Sequence, residues 1–246
     1  MWRQCARFSG MKHGLLALAV CALPIGASGA DCSRDAMLVF DGSGSMATLA
    51  AEAPFSRRID DARNALAQSL PRIVPYRRVG LVVYGPGPLG PCENVDVRLM
   101  PQVNADLDIL AQVSGVEPEG DTPMSQAIDA AVDVLRDRGG GDIVVVTDGR
   151  QTCGDACKNT AQYAEQGMVV HVIGFKIDEN FERWPGYFAE SGGLKREPSR
   201  CLSDATDGIF MLTHTVAELT EALQETMGCA VVGRGPTTYR QTRYPV

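Results

Sequence analysis

The chain has 246 residues, with 23 lysines and arginines, 30 aspartates and glutamates, and a formal net charge of −7. Three of the basic residues and none of the acidic ones lie in the first 30 positions, so the remainder has a net charge of −10. This balance argues against nucleic acid and anionic lipid as partners, because both require a basic surface. About 216 residues remain, which is enough for one domain with a sizeable core.

The first 30 residues have the pattern of a signal peptide that is removed. A basic region precedes a short apolar run at 15–23, and Ser28 and Ala30 occupy the −3 and −1 positions of a cleavage site before Asp31. The run is well short of the ~20 residues of a membrane span. The alternatives are an uncleaved anchor and a lipoprotein at Cys21, which a preceding valine disfavours. We therefore expect a periplasmic or secreted protein, with no membrane insertion after cleavage.

Short apolar, β-branched runs without alternation predict buried parallel strands. An alternating run at 95–100 predicts an antiparallel edge strand, with Val95, Val97 and Leu99 on one face. The buried runs are 36–40, 79–84, 142–147, 168–175 and a shorter one at 209–212.

Amphipathic patterns between these strands predict helices. Strands that alternate with helices indicate a doubly wound α/β fold, with a mostly parallel sheet, helices on both faces and right-handed crossovers. We expect one domain over 31–232 and, because 233–246 lacks an apolar face, a flexible C-terminal tail there. The predicted helices are 57–74, 106–113, 125–136, 156–166 and 216–227.

Oxygen-bearing side chains follow several of the predicted strands. Asp41, Ser43 and Ser45 are at alternate positions directly after the first strand, and the glycines between them allow a tight turn. Such hard ligands suit Mg²⁺, Ca²⁺ or Mn²⁺. One loop cannot fill six coordination positions, but Thr122 and Asp148 lie in loops expected at the same edge of the sheet. The alternative is a polar turn held by side-chain hydrogen bonds.

These motifs resemble the von Willebrand factor type A domain, a Rossmann-like fold shared with the integrin I domain. The resemblance covers roughly residues 34–227 and consists of Asp-x-Ser-x-Ser, a Thr-Pro loop about 80 residues later, and a strand ending in Thr-Asp-Gly. It implies a metal-ion-dependent adhesion site. In such a site Ser43, Ser45 and Thr122 would coordinate the metal directly, and Asp41 and Asp148 would act largely through bound waters.

The sequence is also similar to bacterial exported members of this family, which implies a Gram-negative periplasmic or cell-surface origin. The segment 176–200 departs from their pattern. Its Trp184, Tyr187 and Phe188 either pack against the sheet edge or form an exposed patch that contacts a partner. The shared features are Tyr84-Gly85 with Cys92, Thr-Cys-Gly-Asp-x-Cys at 152–157, Val-His-Val-Ile-Gly-Phe at 170–175, and Cys201.

A binding function follows from the implied ligand set. Three hydroxyls and water-bridged carboxylates leave the cation with few direct negative ligands, so an open position on Mg²⁺ (or Ca²⁺/Mn²⁺) would accept an external carboxylate. We expect metal-dependent binding to an acidic residue of a protein partner. The alternative is a structural or assembly component whose metal only orders loops.

Enzymatic activity is not expected. Ser43 lacks the Gly-x-Ser-x-Gly pattern of a hydrolase, and a phosphotransferase that used Asp41 would need an acid where Ser43 stands. His171 lies within an apolar strand, which favours a hydrogen-bonded core histidine over a base. A phosphate loop and a dinucleotide fingerprint are both missing from the sequence.

The cysteines beyond the signal segment number six, which favours up to three disulfide bonds in an exported chain. A zinc site is disfavoured, because Cys153 and Cys157 have three residues between them instead of the usual two, and no second pair lies at zinc-finger distance. We favour a Cys32–Cys229 bond, since the ends of this fold lie close together. The remaining four, Cys92, Cys153, Cys157 and Cys201, leave three pairings open, including the local Cys153–Cys157 bond.

Overall fold

The computed structural model describes residues 32–49, 56–149, 151–177 and 199–229. The expected signal peptide, the expected tail at 233–246 and the aromatic residues Trp184, Tyr187 and Phe188 lie outside the described residues. No helix within the described ranges is both long and apolar enough to cross a membrane.

A six-stranded sheet forms the centre of the described structure. Its strands are β1 (Ala36–Asp41), β2 (Val79–Tyr84), β3 (Val95–Gln102), β4 (Gly141–Thr147), β5 (Met168–Phe175) and β6 (Phe210–Thr213). They follow the order β3-β2-β1-β4-β5-β6, and all neighbours are parallel except β2 and β3. This confirms the mostly parallel sheet with one antiparallel edge strand. The strand order reverses at β1, and the carboxyl edge at such a point is where open α/β sheets bind ligands.

Helices cover both faces of the sheet, as predicted. They are α1 (Arg58–Ile73), α2 (Asp106–Ser114), α3 (Met124–Arg136), α4 (Thr160–Glu165), α5 (Arg200–Ala205) and α6 (Val216–Met227), with a 3-10 turn at Gly44–Ala47. Apolar residues of α1, α2 and α6 form one core cluster with the sheet. Those of α3, α4 and α5 form a second cluster on the opposite face. The almost fully apolar strands β1, β2 and β4 are buried because both faces are covered.

Helix α4 is shorter than the predicted segment 156–166. It begins at Thr160 because the backbone N–H of Cys157 donates to Asp155 Oδ1 at 2.8 Å, a local turn that competes with helix. Cys157 is also covalently bonded to Cys201 on α5. By contrast, α6 begins where the sequence indicates, because Thr215 and Glu218 form a reciprocal capping box.

The expectation that Val95, Val97 and Leu99 share one face of β3 is wrong. Val97 pairs with Val82, whereas Leu99 pairs with Leu81, and the register shifts between these two pairs. A bulge of this kind adds a residue to one strand and reverses which way the following side chains point. Leu99 therefore packs with the α1 cluster and Val95 with the α3 cluster.

Three disulfide bonds join distant parts of the chain. Cys32 pairs with Cys229, the bond favoured from the sequence, and joins the amino end of the domain to the second residue after α6. The other four cysteines form Cys92–Cys153 and Cys157–Cys201 and not the local Cys153–Cys157 bond. In the chain-entropy model a bond that closes a loop as long as the first contributes about 5 kcal/mol.

Buried ion pairs lie at the amino ends of the strands, opposite the edge expected to bind ligands. Arg77 is 1% exposed and pairs with Asp142, which also contacts Arg34 at 3.2 Å. The Arg77 guanidinium donates further to the carbonyl oxygens of Arg34 and Met227, at 3.0 and 3.3 Å. These bonds connect the strands to the end of α6.

We expect Arg77→Met to lower the free energy of unfolding by about 3 kcal/mol, because it removes a buried partner of Asp142 and leaves two carbonyl groups unpaired. The matched control is Arg78→Met. Arg78 pairs with Asp35 at 2.6 Å, but its side chain is 52% exposed, so the loss should stay below about 1 kcal/mol. Urea unfolding of both variants checks this; equal losses would contradict it.

Candidate metal centre

The five residues singled out in the sequence lie at the carboxyl edge of the sheet. Asp41 is the last residue of β1, and Asp148 directly follows β4, which pairs with β1. Ser43 and Ser45 lie between β1 and α1, in the loop that contains the 3-10 turn. Thr122 precedes α3 and is 2% exposed. Adjacent parallel strands thus place the two carboxylates side by side.

Hydrogen bonds join four of these residues in a continuous chain. The backbone N–H of Ser43 donates to Asp41 Oδ1 at 2.9 Å, and the hydroxyls of Ser43 and Ser45 are 3.1 Å apart. The Ser45 hydroxyl then donates to Asp148 Oδ1 at 2.8 Å. The structure therefore brings Asp41, Ser43, Ser45 and Asp148 together as the sequence predicts.

Thr122 is held next to this group through its loop. The N–H of Gly44 donates to the carbonyl of Gly120 at 3.1 Å, and the N–H of Glu119 donates to the carbonyl of Gly42 at 3.0 Å. The backbone N–H of Thr122 itself donates to the Thr152 hydroxyl at 2.9 Å. The Asp41 loop is thus bonded to the Thr122 loop through its backbone, and the Thr122 loop to the loop after β4 through Thr152. The Cys92–Cys153 bond joins the loop after β4 to the loop after β2.

Gly85, which directly follows β2, permits a close approach between the loop after β2 and the Asp41 loop, a requirement that sequence reasoning missed. Its φ is +107°, and a Cβ there would lie 2.5 Å from the backbone nitrogen of Ser43. Gly120, in the Thr122 loop, also contacts Gly85. Its φ is +76°, and a Cβ there would lie 2.4 Å from the Gly85 carbonyl oxygen. The Tyr-Gly pair after β2 was the available sequence signal, but only the packing shows what the glycine does.

We expect Gly85→Ala to lower the free energy of unfolding by about 3 kcal/mol, because it adds a backbone clash to the strain of positive φ. Gly139→Ala is the matched control, since Gly139 also has positive φ (+84°) but nothing within 4 Å of the added Cβ. This control should lose only about 1 kcal/mol. Chemical denaturation measures both, and similar losses in the two variants would show that the close approach to Ser43 is unimportant.

Burial and the neighbouring charge of Asp148 raise the pKa of Asp41 to about 6, although hydrogen bonds from Ser43 and Thr147 oppose the shift. Nearby, the Tyr84 hydroxyl is fully buried without a well-formed hydrogen bond. Burial, followed by the charge of Asp41, raises the pKa of Tyr84 well above its usual value. Asp41 therefore lies beside a second carboxylate in a water-poor site, where its negative charge is unfavourable unless a cation compensates it.

The pH dependence of stability should reveal this unfavourable charge when metal is removed with EDTA. The pKa of Asp41 rises from 3.8 to about 6 on folding. As pH rises, Asp41 therefore ionises in the unfolded chain before it ionises in the folded one. Relative to Asp41→Asn, the wild type should lose about 3 kcal/mol of unfolding free energy between about pH 4 and pH 7. Urea unfolding across this range is the measurement. Parallel pH curves for the two proteins would contradict the shift.

Two further residues contact the carboxylates and were not singled out from the sequence. Thr147, the last residue of β4, donates to Asp41 Oδ2 at 2.7 Å and accepts from the N–H of Gly149 at 3.1 Å. Arg58, the first residue of α1, donates through Nη1 to Asp148 Oδ2 at 2.8 Å. Thr147 lay within the recognised Thr-Asp-Gly motif, whereas no local pattern distinguishes Arg58 from the neighbouring Arg57.

The residues at this edge fit a hard divalent cation. The available side-chain donors are carboxylate and hydroxyl oxygens, which Mg²⁺, Ca²⁺ and Mn²⁺ prefer. Asp41 and Asp148 are 0% and 3% exposed, so water cannot compensate their charges. A second group, Cys92, Asp121 and Cys153, also has closely spaced ligand atoms. Its two sulfurs form a disulfide bond, however, so they are not thiolate ligands.

His171 is a buried core residue away from this group. Its Nδ1 accepts a hydrogen bond from the N–H of Ile209 at 3.1 Å, and burial lowers its pKa to about 4. The charges that influence it are those of Asp142, Arg77 and Arg34, at the amino ends of the strands. Its location agrees with the prediction of a hydrogen-bonded core histidine. The hydroxyl of Ser43 contacts the hydroxyl of Ser45 and not His171.

Residues 36–151 match the family model of the von Willebrand factor type A domain, and the matched segment contains all five site residues. The chain contains a von Willebrand factor type A domain. No curated protein sequence matches the chain significantly. This domain continues beyond the matched segment, because β5, β6 and α6 complete the sheet and its cover.

Solved structures with the same fold include bacterial membrane and adhesion proteins. An aerotolerance-related membrane protein from Bacteroides fragilis is 18% identical, with 79% of this chain and 98% of that chain covered and a TM-score of 0.57. BatB from Bacteroides thetaiotaomicron is 17% identical, with coverage of 78% and 98% and a TM-score of 0.55. The pilus adhesin SpaC from Lactobacillus rhamnosus GG is 15% identical, with coverage of 78% and 29% and a TM-score of 0.57.

Proposed function

We propose that this von Willebrand factor type A domain works outside the cytoplasm, binds a divalent cation at the edge of its sheet, and uses it to bind a carboxylate of a protein partner. One observation supports this above the others. Asp41, Ser43, Ser45 and Asp148 form a single hydrogen-bonded group in which two buried carboxylates lie together, and the pKa of Asp41 is raised to about 6. Such a group is stabilised by a bound cation.

The proposed ligands are the hydroxyls of Ser43, Ser45 and Thr122, with Asp41 and Asp148 supporting them through bound waters. Mg²⁺ is the proposed metal, since it keeps several waters and needs few direct protein ligands. When bound, it supplies a Lewis-acidic position for an external carboxylate. Thr147 and the N–H of Ser43 hold the two oxygens of Asp41, and Ser45 holds one oxygen of Asp148. The chain thereby fixes its donors before any ligand arrives.

Binding is favoured over a metal that only orders loops, because these loops are already held in place. The Asp41 loop is hydrogen-bonded to the Thr122 loop at two points, and Cys92–Cys153 joins the loops after β2 and β4. Little remains for a metal to order. A binding function is favoured over a hydrolase because the Ser43 hydroxyl contacts another hydroxyl and not a base.

Three disulfide bonds favour an oxidising compartment, which supports export to the periplasm or the cell exterior. The similar structures described as a membrane protein and a pilus adhesin support an adhesive or assembly role at the cell envelope. The proposed partner is a protein with an accessible Asp or Glu.

Mg²⁺ should stabilise the wild type against heat. At a Mg²⁺ concentration one hundred times the dissociation constant, the melting temperature should rise by about 5 to 10 °C over its value in EDTA. Asp41→Ala should abolish this rise while the protein stays folded in EDTA. Asp108→Ala is the matched control, because Asp108 is an exposed carboxylate on α2 that is bonded to Gln102 and not to a site residue. A wild-type melting temperature unaffected by Mg²⁺, Ca²⁺ and Mn²⁺ would refute the metal site.

The partner is tested separately, by capture from periplasmic extract with the wild type and Asp41→Ala in Mg²⁺ or EDTA. The proposal expects capture only by the wild type in Mg²⁺, and its loss when soluble acidic peptide is added in excess. Equal capture in EDTA, with a normal Mg²⁺ response in the melting experiment, would favour a metal that only orders loops.

A further inference from the structure

Arg58 occupies an unusual place for a cation, directly against one of the two carboxylates proposed to support the metal. Its Nη1 donates to Asp148 Oδ2 at 2.8 Å, while Ser45 donates to the other oxygen, Oδ1, at the same distance. The side chain of Asp148 is 0% exposed and that of Arg58 is 15% exposed. Both oxygens of Asp148 therefore have partners, and solvent screens the ion pair only weakly.

The backbone fixes Arg58 in this position. Arg58 begins α1, and its N–H donates at 3.0 Å to the carbonyl of Thr48, just after the 3-10 turn of the Asp41 loop. The preceding residue, Arg57, pairs with Leu49 in an isolated bridge. The start of α1 is thus bonded to the loop that contains Ser43 and Ser45, so the guanidinium is held beside the site.

We propose that Arg58 is a built-in counter-ion of the metal site: it neutralises Asp148 when no metal is bound, and by doing so weakens metal binding and leaves the loaded site with a net positive charge. This inference rests on the proposed metal site. Two carboxylates would balance the charge of Mg²⁺, but Asp41, Asp148 and Arg58 together contribute only one net negative charge. The loaded group then has a net charge of +1, which favours an incoming carboxylate.

Among the ion pairs in the described ranges, the Arg58 pair is the one that involves Asp41 or Asp148. Within the described part of the chain, Asp41 has hydrogen bonds from Thr147 and Ser43 but no ion-pair partner. The site therefore has one carboxylate with an internal counter-ion and one without. Asp41 is the carboxylate whose charge most needs the metal.

The test compares Arg58→Gln with Arg57→Gln, its neighbour, whose guanidinium contacts Asp60 at 2.9 Å and Glu117 at 3.3 Å instead of the site. Melting temperatures are measured from EDTA to saturating Mg²⁺. In EDTA, Arg58→Gln should melt well below the wild type, because Asp148 loses its counter-ion. As Mg²⁺ rises the difference should close, and the fitted Mg²⁺ dissociation constant should be about tenfold lower than that of the wild type. Arg57→Gln should follow the wild type throughout.

The outcomes separate this inference from the proposed function. A wild type without a Mg²⁺ response refutes the metal site and the counter-ion together. Suppose instead that the wild type responds to Mg²⁺, but the melting temperature of Arg58→Gln is lower by the same amount at every Mg²⁺ concentration, or Arg58→Gln is unfolded even at saturation. Either result overturns the counter-ion alone, because Arg58 would then be purely structural. If Arg58→Gln is unfolded in EDTA, its melting curves at high Mg²⁺ are compared with those of the wild type. Arg58→Lys retains the charge and should stay close to the wild type in both conditions.

Discussion

Two carboxylates, Asp41 and Asp148, lie buried side by side at the ends of adjacent parallel strands, and the surrounding structure compensates for this arrangement. The strand pairing fixes the positions of both carboxylates, because β1 and β4 are parallel neighbours that end at the same edge of the sheet. Thr147 and the N–H of Ser43 bond Asp41, while Ser45 and Arg58 bond Asp148. Even so, burial and mutual repulsion keep the pKa of Asp41 raised. This retained repulsion supports the proposed cation site.

The two ends of the sheet are stabilised by different means. At the amino ends, Asp142 is matched by Arg77 and Arg34, and a disulfide bond joins the two ends of the described domain. At the carboxyl ends, the loops rely on glycines that allow backbones to touch and on the Cys92–Cys153 bond. At the first end the buried Asp142 has counter-ions, whereas at the second end Asp41 has no ion-pair partner among the described residues. This asymmetry is what distinguishes the candidate binding edge from the structural one.

Sequence patterns were sufficient where a local rule decides the outcome. The buried strands have no alternation because helices cover both faces, so their positions could be predicted from apolar runs alone. The pattern failed at β3, where a register shift sends Val97 and Leu99 to opposite faces. It also failed at α4, where a turn at Asp155 and the Cys157–Cys201 bond delay the helix. The first error arises from pairing with another strand, and the second from a local side-chain turn together with a disulfide partner 44 residues away.

By itself the sequence determined the α/β class and the order of the strands and of five of the six described helices, and it singled out the five oxygen-bearing residues of the proposed metal site, because each depends on short runs and on motifs at strand ends. It also indicated which cysteine pair closes the domain. Only the tertiary structure decided the pairing of the other four cysteines, the contact of Gly85 with the Ser43 backbone and the location of Arg58 against Asp148. Residues 90 positions apart in the chain form that last ion pair. No local pattern encodes such a contact, since it exists only once α1 and β4 are packed around the same loop.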